Sequence, residues 1–414
     1  MLLSPYLKTA VLLILTAAGC GKKHGNLPGL EKAKLPPDGE KIVAAQNDFA
    51  FHLLNQLLSV DPAQDNKLIS PLSIYLDLSL AYNGARGKTQ QGISIALGLG
   101  NLSTKLLNTT SKALVTGLPK EDVSVNLDIA NSIWYRQGNL QPLPGFLTMG
   151  KNYYQAQVTG ASFDASTVEE VNDWVSRNTH EKIKTILQRI DPADVMYLVN
   201  AVYFKGKWTN AFDSSATSAR TFHSPGHGDV KVPFMSQEAK YNYLGTDSLQ
   251  LIELPYGNGA FSMYIALPSA KINVEDWLKT LRADSFFSLL RSMDSSKVRL
   301  LLPRWKYAYQ ISDLKPMLSV MGMGEAFTKQ ADFTSMYPSE ANLYISKALH
   351  KAYIEVNEKG TEAAAATSIG FTVTSMPLHP TPVMDVDRPF FYAIAEKTTG
   401  VIVFTGLVNN PVYQ

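Results

Sequence analysis

Apolar side chains recur at helical spacing from Ile42 to Leu58, with Phe49, Leu53, Leu54 and Leu57 on one side, and again from Ile74 to Asn83. Both runs predict amphipathic helices laid against a core. Strand-like runs are many: Asp128 to Tyr135, Met196 to Phe204, Leu249 to Glu253, Ser262 to Leu267, Lys297 to Leu302, Ala352 to Asn357 and Val401 to Val408. They are rich in β-branched and aromatic residues, which suit a pleated surface. Helices first, then strands mixed with helices, predict an α+β fold with large antiparallel sheets. From Glu40 to Pro411 no long linker, low-complexity tract or repeat interrupts the pattern. One large continuous domain is expected.

A different pattern occupies residues 358–376. Taken in alternation, one face is Thr361, Ala363, Ala365, Thr367, Ile369, Phe371 and Val373, and the other is Glu362, Ala364, Ala366, Ser368, Gly370 and Thr372. The first face is small, then apolar, and carries no charge. A strand buried on one side requires that pattern. No proline occurs from Thr361 to Met376, although Pro377, Pro380 and Pro382 follow at once, so nothing in the stretch would break a central ladder. On residues alone, Ala363 to Ala366 suit a continued helix equally well, alanine being the best helix former.

The composition limits the partners. With 414 residues, 45% of them apolar and 18% charged, and a net charge of +2, the chain supports a sizeable core. That balance gives no reason to expect nucleic acid or another polyanion. At the start, Lys8 precedes the apolar stretch Ala10 to Leu15, which is too short for a permanent membrane span and suits a secretory signal. It ends in Ala17-Ala18-Gly19-Cys20. Small residues before a cysteine resemble the bacterial lipobox, although Ala17 stands where that box usually has leucine. The expected division is a signal peptide at 1–19, lipidated Cys20 with a flexible tether at 20–39, and the folded domain at 40–414. Cys20 is the only cysteine, which excludes intramolecular disulfides and argues against a metal or redox role.

Enzyme motifs are absent or incomplete. There is no G-x-S-x-G and no H-E-x-x-H. Ser312-Asp313-Leu314-Lys315 fits S-x-x-K, but Lys397-Thr398-Thr399-Gly400 misses the K-T-G that should accompany it. The G-x-G pairs Gly98-Leu99-Gly100 and Gly322-Met323-Gly324 lack the third glycine of a dinucleotide site. The seven histidines are each read as a surface or core residue, and no metal-ligand set is expected from them. No enzyme activity, cofactor or metal is expected.

Distinctive blocks run in order along nearly the whole domain. They are Ile69-Ser70-Pro71-Leu72-Ser73-Ile74, Gly84 to Thr89, Asn131-Ser132-Ile133-Trp134, and Leu198 through Asn200 to Trp208. They continue through Val232-Pro233-Phe234-Met235, Glu253-Leu254-Pro255-Tyr256, Ala331-Asp332-Phe333, Ile345 through His350 to Ala352, Arg388-Pro389-Phe390-Phe391 and Thr405-Gly406-Leu407-Val408. On these blocks the sequence resembles the serpin family. The resemblance implies three β-sheets, about nine helices and an exposed reactive-centre loop at about 358–387. It implies a suicide substrate: a protease cuts the loop, forms an acyl-enzyme, and is trapped when the freed loop enters the central sheet.

By the family's spacing the hinge comprises Glu358, Gly360, Thr361, Glu362, Ala363, Ala364, Ala365 and Ala366. The scissile bond falls between Thr374 and Ser375, with Met376 and Leu378 as alternative sites. The family's shutter falls on Ser70, Ser73, Asn200 and His350, and its breach tryptophan on Trp208. Two readings of the same fold compete, an inhibitor and a non-inhibitory carrier. The hinge has none of the charged, bulky or proline residues at Ala363 to Ala366 that would obstruct insertion, which favours inhibition. The expected partners are serine or cysteine proteases, held covalently, and a membrane reached through the lipid at Cys20, with the protein a monomer. The expected location is extracytoplasmic and lipid-anchored to a bacterial membrane, with secretion as the alternative.

Overall fold

The computed structural model describes residues 33–61, 66–138, 141–338, 343–361 and 380–413. Helix α1, Gly39–Val60, buries Ile42, Phe49, Leu53, Leu54 and Leu57, the face expected from their spacing. Helix α2, Pro71–Gly84, is buried on every side through Ala81. An all-round buried helix must be enclosed, and this one packs against strands of both sheets. Proline at its first position, after an extended Ser70, sets its start.

Among the described residues fifteen strands form two sheets. In chain order they are β1 Lys67–Ile69, β2 Val125–Arg136, β3 Gln157–Ala161, β4 Met196–Lys207, β5 Ser218–Ser224, β6 Gly228–Gly245, β7 Leu249–Pro255 and β8 Phe261–Pro268. There follow β9 Asp294–Pro303, β10 Trp305–Ile311, β11 Lys347–Asn357, β12 Gly360–Thr361, β13 Val383–Asp385, β14 Phe390–Glu396 and β15 Ile402–Val408. The central sheet has six strands in the order β10-β11-β12-β4-β2-β3. The other has nine strands, and the long β6 joins its two regions: β6 pairs with β5 and β9 along most of its length and with β7 only at its end. Those two regions and the central sheet make up the three-sheet arrangement, together with nine α-helices among the described residues.

Most neighbours are antiparallel, as the strand pattern suggested. The exception that matters is β11 beside β4, which run parallel with Lys347 to Lys351 opposite Tyr197 to Ala201. Helix α2 packs on β2 and β4 of the central sheet and on β15 of the other. On the opposite face of the central sheet lies the helix Ala165–Asn178, whose Val171, Trp174 and Val175 cluster with Tyr197, Val199, Ala201 and Leu349.

Candidate functional site

Beyond Lys351 and Ala201, β11 and β4 no longer pair with each other. At that end the two residues of β12 lie between them, antiparallel to both: Val356 and Gly206 flank Thr361, and Asn357 and Lys207 flank Gly360. The sheet is thus zipped at one end and already wedged open at the other. Gly360 has φ +144°, and a Cβ there would lie 2.0 Å from Gly206 O. Only glycine fits that turn and that approach. Thr361 is 1% exposed, and its hydroxyl lies 2.7 Å from Tyr256 Oη. The Tyr256 ring stacks on Trp208 with centroids 4.5 Å apart.

The turn from Asn357 to Gly360 is pinned from several directions. Trp208 donates its indole N–H to Asn357 O at 2.9 Å and its backbone N–H to Lys359 O at 2.9 Å. Phe212 N–H donates to Glu358 O at 2.8 Å. The Glu358 carboxylate is buried and accepts from the Arg304 guanidinium, with Nε at 2.7 Å, and from the Thr217 hydroxyl. A buried carboxylate needs such partners.

Where β11 and β4 remain paired, a polar row crosses three strands. Asn131 of β2 stands opposite Asn200 of β4, which stands opposite His350 of β11. Asn200 Nδ2 donates to Asn131 Oδ1 at 2.8 Å and to the Ser73 hydroxyl. His350 Nδ1 lies 3.2 Å from Asn200 Oδ1, and Nε2 accepts the Ser70 backbone N–H at 3.1 Å. Since Nε2 is the acceptor, Nδ1 carries the proton and the ring is neutral. Burial pushes the His350 pKa down to about 3, in keeping with that state. Ser70 Oγ donates to Val403 O at 2.8 Å instead of capping α2. The row therefore ties β11, β4 and β2 to the start of α2 and onward to β15.

The structure brings Ser70, Ser73, Asn200 and His350 into one network, and Trp208, Glu358, Gly360 and Thr361 into a second at the open end. Cys20, Glu362, Ala363 to Ala366, and the Thr374-Ser375 bond with its alternatives at Met376 and Leu378 lie outside the described residues. Sequence reasoning passed over Tyr256, Arg304 and Asn131 as site residues. Tyr256 and Asn131 sit within the family-like blocks; Arg304 carries no local signal, because its partner is 54 positions away. Among the described residues no helix is long and apolar enough to cross a membrane.

Comparison with known proteins agrees with this geometry. A model of the family "Serpin (serine protease inhibitor)" matches residues 44–411. A serpin-like protein of Thermococcus kodakarensis is 33% identical over 395 residues, 94% of this chain and 90% of that protein. Serpin-Z1C of Triticum aestivum is 32% identical, covering 91% of this chain and 98% of its own length. Among solved structures, the thermophilic serpin tengpin in its native state superposes with a TM-score of 0.84 at 34% identity, over 92% of this chain and 96% of that one. A family match across the whole folded domain, with the wedged central sheet and the buried polar row, places this chain in the serpin family of protease inhibitors.

Proposed function

We propose that the chain is an inhibitory serpin, which traps serine endopeptidases, and cysteine endopeptidases as a second class, by inserting its cleaved loop between β11 and β4. One observation carries this reading: β12 already occupies the open end of that gap, antiparallel to both neighbours. Continued in the same register, Ala363 would lie opposite Ile354 and Phe204, and Ala365 opposite Ala352 and Val202. Thr367 would then meet His350 and Asn200, and Ile369 would meet Ala348 and Leu198. All of these partners are buried. The uncharged face of the alternating segment is thus the face that would enter the core. Its other face would bring Ala366, Ser368 and Gly370 under the helix Ala165–Asn178, beside Ala201, Val199, Leu349 and Tyr197. Small residues suit that covered side.

The proposed bait bond is Thr374-Ser375. No lysine or arginine occurs between Thr361 and Asp387, so a trypsin-like pocket, whose carboxylate needs a cation, has nothing to grip. Thr374 suits a small apolar pocket, and Val373 before it suits enzymes that read the neighbouring position. Elastase-like targets rank first, subtilisin-like and papain-like next, chymotrypsin-like after them and trypsin-like last. Incubation with one member of each class, followed by denaturing gels and mass spectrometry, tests mechanism and order together. A covalent complex with elastase and a new terminus at Ser375 are expected. Clean cleavage of the loop with every protease and no complex would leave the carrier reading in its place.

The proposed setting is extracytoplasmic, at a bacterial membrane, with Cys20 lipidated as the anchor. Labelled palmitate should mark the wild type and not Cys20→Ala; equal labelling would remove the anchor from the proposal.

A further inference from the structure

Beyond Val408 the chain turns toward the hinge end of the central sheet. Asn66 Oδ1 accepts the N–H groups of Asn409 and Asn410, each at 2.8 Å. Lys306 N–H of β10 then donates to Val412 O at 2.9 Å. The tail thus lies beside β10, and Tyr413 reaches past it to β11. Its Oη donates to Glu355 Oε1 at 2.7 Å and accepts from Asn357 Nδ2 at 3.5 Å. Tyr353 Oη donates to the other Glu355 oxygen at 2.7 Å. The Tyr413 ring lies 5.7 Å from the Arg304 guanidinium carbon, within reach of a cation–π contact. Arg304 is the residue that holds Glu358, and Asn357 is the residue whose carbonyl holds Trp208.

We propose that Tyr413 is a positioning residue of the hinge, through which the C-terminal tail holds the Asn357–Gly360 turn closed and so keeps β12 seated between β11 and β4. It acts by two routes. The ring covers one side of the guanidinium that binds Glu358, keeping water from the pair, and the hydroxyl fixes Glu355 and Asn357 at the end of β11. Without these contacts the turn opens more often and β12 leaves its seat. Insertion after cleavage then starts later, and more acyl-enzyme is hydrolysed before it is trapped. This last consequence rests on the inhibitory reading; the opening of the turn does not.

The experiment compares full-length wild type, Tyr413→Phe and Tyr413→Ala by hydrogen exchange and by protease titration. The Trp208 and Phe212 amides, which donate to Lys359 O and Glu358 O, report the turn. The Ser346 amide, bonded to Met196 O, reports the far end of the sheet. In Tyr413→Ala, exchange of the first two should rise by about tenfold, the scale of one charge-assisted hydrogen bond, with Ser346 unchanged. Tyr413→Phe, which keeps the ring over Arg304, should fall between. The alanine variant should also consume more inhibitor per protease trapped, while its loop is cut at the wild-type rate. Unchanged exchange at Trp208 and Phe212, or an equal rise at Ser346, overturns the proposal. If the wild type traps no protease, the inhibitory reading fails, and the exchange data still decide the role of Tyr413.

Discussion

At His350 the hydrogen-bond pattern and the charge state are one fact. Nε2 accepts the Ser70 N–H at 3.1 Å, so a proton on that nitrogen would leave two donors facing each other between α2 and β11. The folded ring therefore resists protonation until about pH 3, whereas an unfolded histidine takes its proton near 6.5. Between those values the unfolded chain binds more protons, and stability rises with pH. The contribution is fully present above about 6.5 and is lost as pH falls toward 3. From pH 7 to pH 5 the linkage amounts to about 2 kcal/mol. Asp77 of α2 works in the opposite direction, since burial holds its carboxyl well above the usual range. A comparison with His350→Gln cancels that background. Wild type should lose more of its melting midpoint between pH 7 and pH 5 than the variant does; equal slopes would remove His350 as the titrating group.

On the scale of elements, the first steps of the proposed insertion are the easiest to block. Thr361 sits in a position 1% exposed, against Tyr256 Oη, and Thr361→Arg would place an unpaired guanidinium there. Ala363→Pro acts one pair further along. The entering strand would be bonded on both sides, and proline supplies no N–H and is confined to edges and bulges. Both variants should be cut by elastase at the wild-type rate and released as cleaved protein. Gels showing stable complexes with either variant would contradict entry between β11 and β4. The elements themselves were largely legible. α1, β4, β7, β8, β9 and β15 announce themselves by local period, and the polar residues of the row fall inside family-like blocks. What the pattern could not show is that β12 is already seated. Two residues carry no period, and the reason for their place lies in Gly206, Tyr256 and Trp208, more than 100 positions earlier. A separation of 54 positions hid the pairing of Arg304 with Glu358. Only the fold brings such partners together.

For the whole molecule, the proposed insertion requires that the uncleaved chain be held short of its most bonded arrangement. Below the wedge, β11 and β4 share five parallel pairs. A strand entering between them would replace these with two antiparallel ladders, the slightly more stable kind per residue. Burying Ile369 and Phe371 would add roughly 1.5–3 kcal/mol each, against the cost of ordering the strand. What prevents this before cleavage is connectivity. The loop's far end continues into β13, which pairs with Arg299, Leu300 and Leu301 of β9 and carries Asp385, 2.5 Å from Arg220. A loop tied at both ends cannot lay its full length into the sheet without stripping β13 from its neighbour. Under the proposed mechanism the uncleaved form persists because escape is slow. Cutting the loop removes the tie and leaves β13 in place. Cleavage should then raise the melting midpoint by several degrees, since each kcal/mol moves it by about 1–2 °C in a domain of this size. Scans at one fixed rate, before and after nicking by a protease that is not trapped, make the measurement. A midpoint unchanged or lowered by the cut would mean that the gap between β11 and β4 does not receive the loop.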